Sequence, residues 1–109
     1  MQEDELIVVL CTAPDADTAD RLAKGLVTAE LAACVNVVPE VQSHYRWKGK
    51  LEVEREVQLI VKTRFGRFAE VKAWLEAQHP YDVPEVVALQ AAAVNEAYGA
   101  WVRDETPTR

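Results

Sequence analysis

The chain has 109 residues, half of them apolar, which supports one hydrophobic core without disulfides or bound metal, so we expect a single domain over residues 1–109. Its formal net charge of −6 argues against nucleic acid or an anionic membrane as a partner, because both require a basic surface. No charged segment followed by an apolar one opens the chain, so we expect no membrane association and a cytoplasmic location.

The first predicted elements are a buried strand and an amphipathic helix. Residues 6–11 form a continuous apolar run rich in β-branched side chains, which predicts a strand buried on both faces and central in its sheet. Apolar side chains then recur at helical spacing after Pro14 and Asp15, so we predict a helix over residues 15–30. Gly25 costs this helix about 1 kcal/mol relative to alanine, and we expect it to allow close packing on the sheet.

A long hairpin is predicted over residues 32–63. Its second arm alternates apolar and polar residues, as a half-buried strand does. The only short turn signal is Lys48-Gly49, where glycine supplies a positive φ. A two-residue loop would pair Trp47 with Lys50. A three-residue loop would pair Trp47 with Leu51 and match the apolar faces better, and the sequence leaves both registers open.

The length of this hairpin predicts an oligomer. Its arms exceed the usual strand length of about 5–6 residues, so its far end must project beyond shorter partner strands. Tyr45, Trp47 and Leu51 would then be exposed on a monomer. Exposed aromatic and aliphatic patches of this kind mark interaction surfaces.

The second half of the chain completes an α+β fold. We predict a helix that begins near Phe68 and ends before Pro80, a stiff loop over residues 79–85, a strand over 86–92 and a short helix over 95–103. Residues 106–109 should fray. The order β-α-β-β-α-β plus a C-terminal helix predicts a ferredoxin-like domain with an antiparallel sheet of strand order 4-1-3-2 and the first two helices on one face.

This topology brings four residues with ligand chemistry to one edge of the sheet: Cys11, His79, Asp82 and Glu85. Thiolate with imidazole favours copper or zinc over magnesium or calcium. Their spacing matches no metal motif, and taken alone it favours a structural interpretation, with Cys11 in the core and His79 ending a helix. Cys34 falls at the opposite edge, so no disulfide is expected.

Catalysis and a second metal site are two other chemical roles that the sequence allows. Cys11 and His79 could form a nucleophile and base, but no orienting third residue or oxyanion loop is visible, so we expect no enzymatic activity. His44 lies on the polar face of the hairpin. We expect it to be solvated, although three copies near an oligomer axis could bind a metal ion.

Five motifs resemble those of the CutA family, the divalent-cation tolerance proteins. They are LCTAP (10–14), LAACVN (31–36), YRWKGK (45–50), VKT (61–63) and HPYDVPE (79–85). The resemblance implies a homotrimer with a PII-like arrangement in which the long hairpins pair between subunits. It also implies binding of copper or other divalent metal ions, with Cys11 and His79 as ligands, and a role in the response to metal ions. Some members carry a further histidine where this chain has Gln78.

A second function remains open beside metal tolerance. The chain could be a PII-like sensor or scaffold that binds a small ligand in clefts between subunits, without metal as its physiological ligand. A phosphate-binding loop would favour this alternative, and Lys62 and Arg64 are the nearest candidates in the sequence.

Overall fold

The computed structural model describes residues 1–108. Its elements, in chain order, are β1 (Leu6–Ala13), α1 (Ala16–Thr28), β2 (Cys34–Trp47), β3 (Lys50–Arg64), a 3-10 turn (Phe65–Arg67), α2 (Phe68–Gln78), β4 (Val87–Gln90) and α3 (Glu96–Glu105). The strands form one antiparallel sheet in the order β2-β3-β1-β4. The predicted α+β, ferredoxin-like topology and its strand order are therefore confirmed. None of the helices in residues 1–108 is long and apolar enough to span a membrane.

The two faces of β1 differ in burial, which corrects the prediction that both are buried. Val9 and Cys11 are fully buried, whereas Val8 and Leu10 on the other face are half-buried. β1 is nevertheless central, as predicted, because β3 and β4 pair with its two edges. The buried face packs against both α1 and α2 in one cluster whose largest fully buried aliphatic members are Ile7, Leu22, Leu26, Leu59 and Leu75.

Helix α1 begins as the sequence predicts. The side chain of Asp15 caps it by accepting a hydrogen bond from the backbone N–H of Thr18 at 2.8 Å, which satisfies one of the free donors at a helix start. The same bond lowers the pKa of Asp15. The helix ends at Thr28, two residues earlier than predicted.

Gly25 faces α2, not the sheet, which corrects the predicted contact. A Cβ atom placed on Gly25 would lie 2.3 Å from Cζ2 of Trp74. The glycine therefore leaves room for the indole ring of α2 against α1.

The hairpin closes with a two-residue loop. Lys48 and Gly49 both have positive φ, at 51° and 80°, as a tight hairpin turn requires. Trp47 pairs with Lys50, and Arg46 pairs with Leu51. Because paired residues share a face, Leu51 lies on the opposite face from Trp47, and the three-residue alternative that matched their faces is wrong.

The C-terminal segment up to Thr106 packs against the rest of the domain, although part of it was predicted to fray. β4 is shorter than expected, and α3 extends to Glu105. Thr106, predicted to fray, is fully buried, and its backbone carbonyl accepts a hydrogen bond of 2.7 Å from Nε of Arg64. Val102 of α3 packs on Leu6 and Ala33 in a second apolar cluster.

Candidate functional site

A cleft of about 640 Å³ runs along one face of the hairpin, from its base toward its tip. Three segments line it: the end of β1, the paired arms of the hairpin, and the loop between α2 and β4. Its lining side chains are Thr12, Ser43, Tyr45, Trp47, Glu52, Glu54, Glu56, Tyr81, Asp82, Val83 and Glu85. Five of them are carboxylates and none is Lys, Arg or His, so the cleft is acidic.

The strand register places these side chains on one face. Tyr45 pairs with Glu52, and Ser43 pairs with Glu54. Trp47 extends the same row toward the tip. This row points away from α1 and α2 because the alternate positions of β3, such as Val57 and Leu59, enter the core.

Glu56 and Tyr81 join the hairpin to the loop. The Tyr81 hydroxyl donates a hydrogen bond of 2.7 Å to Oε2 of Glu56, and Glu56 is only 8% exposed. Burial, followed by this bond and the charge of Glu56, raises the pKa of Tyr81. The sequence placed Glu56 on the polar face of its strand and gave no signal that a loop would cover it.

His79 fastens the same loop to β1. Its Nε2 lies 2.7 Å from the carbonyl oxygen of Thr12, and its Nδ1 accepts the backbone N–H of Tyr81 at 3.1 Å. These two contacts assign the proton of the neutral ring to Nε2. The imidazole is 8% exposed and tilts against the Tyr81 ring at a centroid distance of 4.7 Å.

Cys11 is at the floor of this region, within the main core cluster. Its thiol donates to the same Thr12 carbonyl oxygen at 3.7 Å. Cys11 and His79 thus lie at one edge, as the topology predicted. Burial, and then the negative charges of Glu85 and Glu56, raise the pKa of Cys11 to about 12.

The arrangement does not fit a prepared metal site. Both ring nitrogens of His79 are engaged, and the Cys11 thiol is protonated at neutral pH, whereas metal ligands must offer a free lone pair or thiolate. Within residues 1–108, no group of three or more His, Cys, Asp or Glu side chains could hold a metal ion. Metal ligation by Cys11 and His79 stays a prediction, and it requires rearrangement of the loop.

The other residues that the sequence analysis considered as ligands lie away from Cys11 and His79. Asp82 is exposed and Glu85 is half-buried on the cleft wall. His44 is exposed on the other face of the hairpin. Cys34 is half-buried near Lys62, with Sγ 3.9 Å from Nζ, and both cysteines are free, which confirms that no disulfide links them.

The buried Cys11 thiol should make stability fall at alkaline pH. Its folded-state pKa lies above the ordinary value of 9.0, so the stabilising neutral form is fully present below pH 9 and is lost as pH rises toward 12. By pH 10.5 we expect a loss of about 2 kcal/mol from this group. Urea unfolding at pH 8 and 10.5 should show a smaller decrease for Cys11→Ala than for Cys34→Ala. Equal decreases would contradict the assignment.

Fold and cleft together define a ferredoxin-like α+β protein with a projecting hairpin and an acidic cleft along one face of it. The family model for "CutA1 divalent ion tolerance protein" matches residues 7–105. The chain therefore belongs to the CutA1 family, as its motifs predicted.

Known relatives share both sequence and fold. The divalent-cation tolerance protein CutA of Thermus thermophilus is 46% identical over 99 residues, covering 91% of this chain and 96% of the relative. The crystal structure of CutA1 from Oryza sativa superposes with a TM-score of 0.93 at 39% identity, covering 96% of each chain. A structure from Archaeoglobus fulgidus described as the periplasmic divalent cation tolerance protein CutA has a TM-score of 0.91 at 34% identity, covering 94% of this chain and 99% of that one.

Proposed function

We propose that this chain is a cytoplasmic homotrimer that binds copper or another divalent metal ion and takes part in the response to metal ions. Membership of the divalent ion tolerance family supports the link to cations. Because relatives include a protein described as periplasmic, the family alone does not fix the compartment. The proposal includes no catalytic role for Cys11, since a buried, protonated thiol is a poor nucleophile.

The main support for self-association is the exposed, apolar sheet face opposite α1 and α2. Opposite α1 and α2, the side chains of Val38, Val87 and Leu89 are exposed, and they continue the half-buried row of Val8 and Leu10. An apolar sheet face of this extent is normally covered in a stable protein.

The hairpin adds a second contact surface to this face. Trp47 is 48% exposed and Leu51 is 75% exposed, on opposite faces of the projecting arm. The outer edge of β2 has no partner strand within residues 1–108. A head-to-tail ring would cover both the edge and the apolar side chains, and a trimer is the smallest such ring beyond a two-fold dimer.

Trp47→Asp should abolish the trimer, because it places a charge on the apolar part of this contact. We expect a monomer or an aggregate in sedimentation or light scattering. Val27→Asp is the matched control, since Val27 is an exposed apolar residue of α1 on the helix side. An unchanged trimeric mass for Trp47→Asp would remove the hairpin from the interface.

The acidic cleft supports cation binding. Exposed carboxylates such as Glu54 and Asp82 give the cleft a negative charge that raises the local concentration of divalent ions, although they form no three-ligand group among residues 1–108. Cys11 and His79 lie beneath them and become ligands only if the Tyr81 N–H releases Nδ1 of His79. Binding through the thiol and imidazole should therefore be slower than binding to the carboxylates.

A copper titration of the reduced protein tests this proposal. Wild type, Cys11→Ala and His79→Ala should be compared by calorimetry while the oligomeric mass is recorded. We expect saturable binding that weakens in both variants while the trimer persists. Saturable binding that is unchanged in both variants would leave the carboxylates as the site, and no saturable binding by the wild type would contradict a direct metal role.

A PII-like sensor or scaffold that binds a small ligand in clefts between subunits is the second candidate, and a cleft that borders the proposed hairpin contact favours it. A volume of about 640 Å³ lies within the range of small-molecule sites. The residues first considered for phosphate binding do not serve it. Arg64 is buried against Thr106, and Lys62 contacts Asn36 and Cys34. An anionic ligand is also disfavoured by the five carboxylates of the cleft.

A further inference from the structure

We propose that the loop of residues 79–85 is a lid that opens locally, and that the hydrogen bond between Tyr81 and Glu56 controls how often the sheet edge with Cys11 and His79 becomes accessible. This deepens the proposed metal function, on which its consequence for ligand access rests. The opening itself involves only contacts within this chain. Three features carry the inference: the closed state of the edge, the sparse backbone hydrogen bonding of the loop, and its single side-chain bond to the hairpin.

The edge that carries Cys11 and His79 is closed. Cys11 is fully buried, and His79 is 8% exposed. The thiol donates to the Thr12 carbonyl oxygen, while Nε2 and Nδ1 of His79 contact Thr12 and Tyr81. A solute molecule has almost no access to either side chain in this state, and a buried thiol is inert. Chemistry at this edge therefore requires an opening.

The loop is held mainly by side chains. Within residues 1–108, no backbone-to-backbone hydrogen bond involves residues 80–86. Pro80 and Pro84 have no N–H and fixed φ angles, so the segment between them is stiff and should move as one unit. Val83 at its tip is 70% exposed. Segments with few backbone hydrogen bonds and little buried apolar surface open at a lower free energy than the core.

Tyr81 holds the loop closed at two points. Its backbone N–H donates to Nδ1 of His79, and its hydroxyl donates to Oε2 of Glu56 at 2.7 Å. In the described part of the chain, the second bond is the only side-chain hydrogen bond or ion pair that joins the loop to the hairpin. Glu56 is only 8% exposed, so little water can replace this donor while the loop is closed. Loss of the hydroxyl should therefore favour the open loop, in which the carboxylate is hydrated.

Thiol labelling measures the opening without any metal ion. In a Cys34→Ala background Cys11 is the only cysteine, and its reaction with N-ethylmaleimide is followed by mass spectrometry on the native assembly. Any hold that a neighbouring copy adds to the loop is then present in every variant. We expect slow labelling whose rate hardly changes at low urea concentrations, because local opening exposes little surface. A rate that follows the urea dependence of global unfolding would overturn the proposal.

Tyr81→Phe tests the assigned hydrogen bond. The substitution removes only the hydroxyl, so labelling of Cys11 should become about tenfold faster. The faster labelling should keep its weak urea dependence, which a general loss of stability would not. Tyr45→Phe is the matched control, because it removes a hydroxyl that lines the same cleft but stands on the hairpin. An unchanged rate in Tyr81→Phe, or an equal increase in Tyr45→Phe, would contradict the role of the bond.

A double-mutant cycle shows whether Tyr81 and Glu56 act through one shared bond. Glu56→Met removes the acceptor at similar volume, and it should also speed the labelling of Cys11. Because either substitution breaks the same bond, the double variant should label no faster than the faster single variant. Accelerations that multiply would show independent effects and overturn the assignment. The copper titration above is a separate measurement, so faster labelling without saturable copper binding would support the lid and contradict only the metal function.

Discussion

Arg64→Ala is expected to lower the free energy of unfolding by about 3 kcal/mol. The Arg64 side chain is almost fully buried, and its Nε donates to the carbonyl oxygen of Thr106 at 2.7 Å and to the Thr106 hydroxyl at 3.3 Å. Its guanidinium also contacts Asp4 and Thr108. Truncation would leave the buried Thr106 carbonyl without this donor and open a cavity under the C-terminal segment.

The measurement is urea unfolding at a fixed protein concentration, because self-association would otherwise change the apparent stability. Hydrogen exchange should show the largest increase in the amides of α3, which Arg64 holds to β3 through Thr106. Lys24→Ala is the control, since the Lys24–Asp20 ion pair is exposed and such pairs contribute about 0.5 kcal/mol. A loss below 1 kcal/mol in Arg64→Ala would contradict the anchoring role.

Local patterns in the sequence were sufficient to predict the order of the elements. The β-branched run of β1, the helical spacing of α1 and the alternation of β3 each depend on residues close in the chain. The turn was also predicted from adjacent residues, Lys48-Gly49, and both residues have the positive φ of a tight hairpin loop. With these elements placed, the ferredoxin-like topology fixed the strand order.

Contacts between distant residues explain the errors. Thr106 was expected to fray because no nearby residue holds it, whereas Arg64, 42 positions away, does. The hairpin register was left open, and the alternative that placed Leu51 on the face of Trp47 matched the apolar residues better. The turn geometry instead set a register that puts it opposite.

The candidate site was predictable in position but not in detail. The topology placed Cys11 and His79 at one edge, yet it could not show that both contact the carbonyl oxygen of Thr12. The pairing of Tyr81 with Glu56 depends on how the loop crosses β3. A sequence pattern describes which face a residue occupies on its own strand, not which loop covers that face.

The effect of Gly25→Ala on the free energy of unfolding should depend on residue 74. The substitution should destabilise the protein when Trp74 is present and stabilise it when Trp74 is replaced by leucine. In the wild-type background the new Cβ would lie 2.3 Å from Cζ2 and 2.5 Å from Cη2 of Trp74, a clash with a rigid ring that should cost about 1–3 kcal/mol. In a Trp74→Leu background the clash disappears, and the helix propensity of alanine should stabilise the protein by about 1 kcal/mol.

A double-mutant cycle on Gly25 and Trp74 measures this coupling by urea unfolding. We expect a coupling energy of about 2–3 kcal/mol, the upper part of the range for residues in direct contact. The same alanine would be destabilising in both backgrounds if Gly25 served the close sheet contact that the sequence suggested, because that clash would not depend on residue 74. The cycle therefore tests whether the position is reserved for the indole of α2, because only a helix-to-helix contact predicts that the sign reverses when Trp74 is replaced.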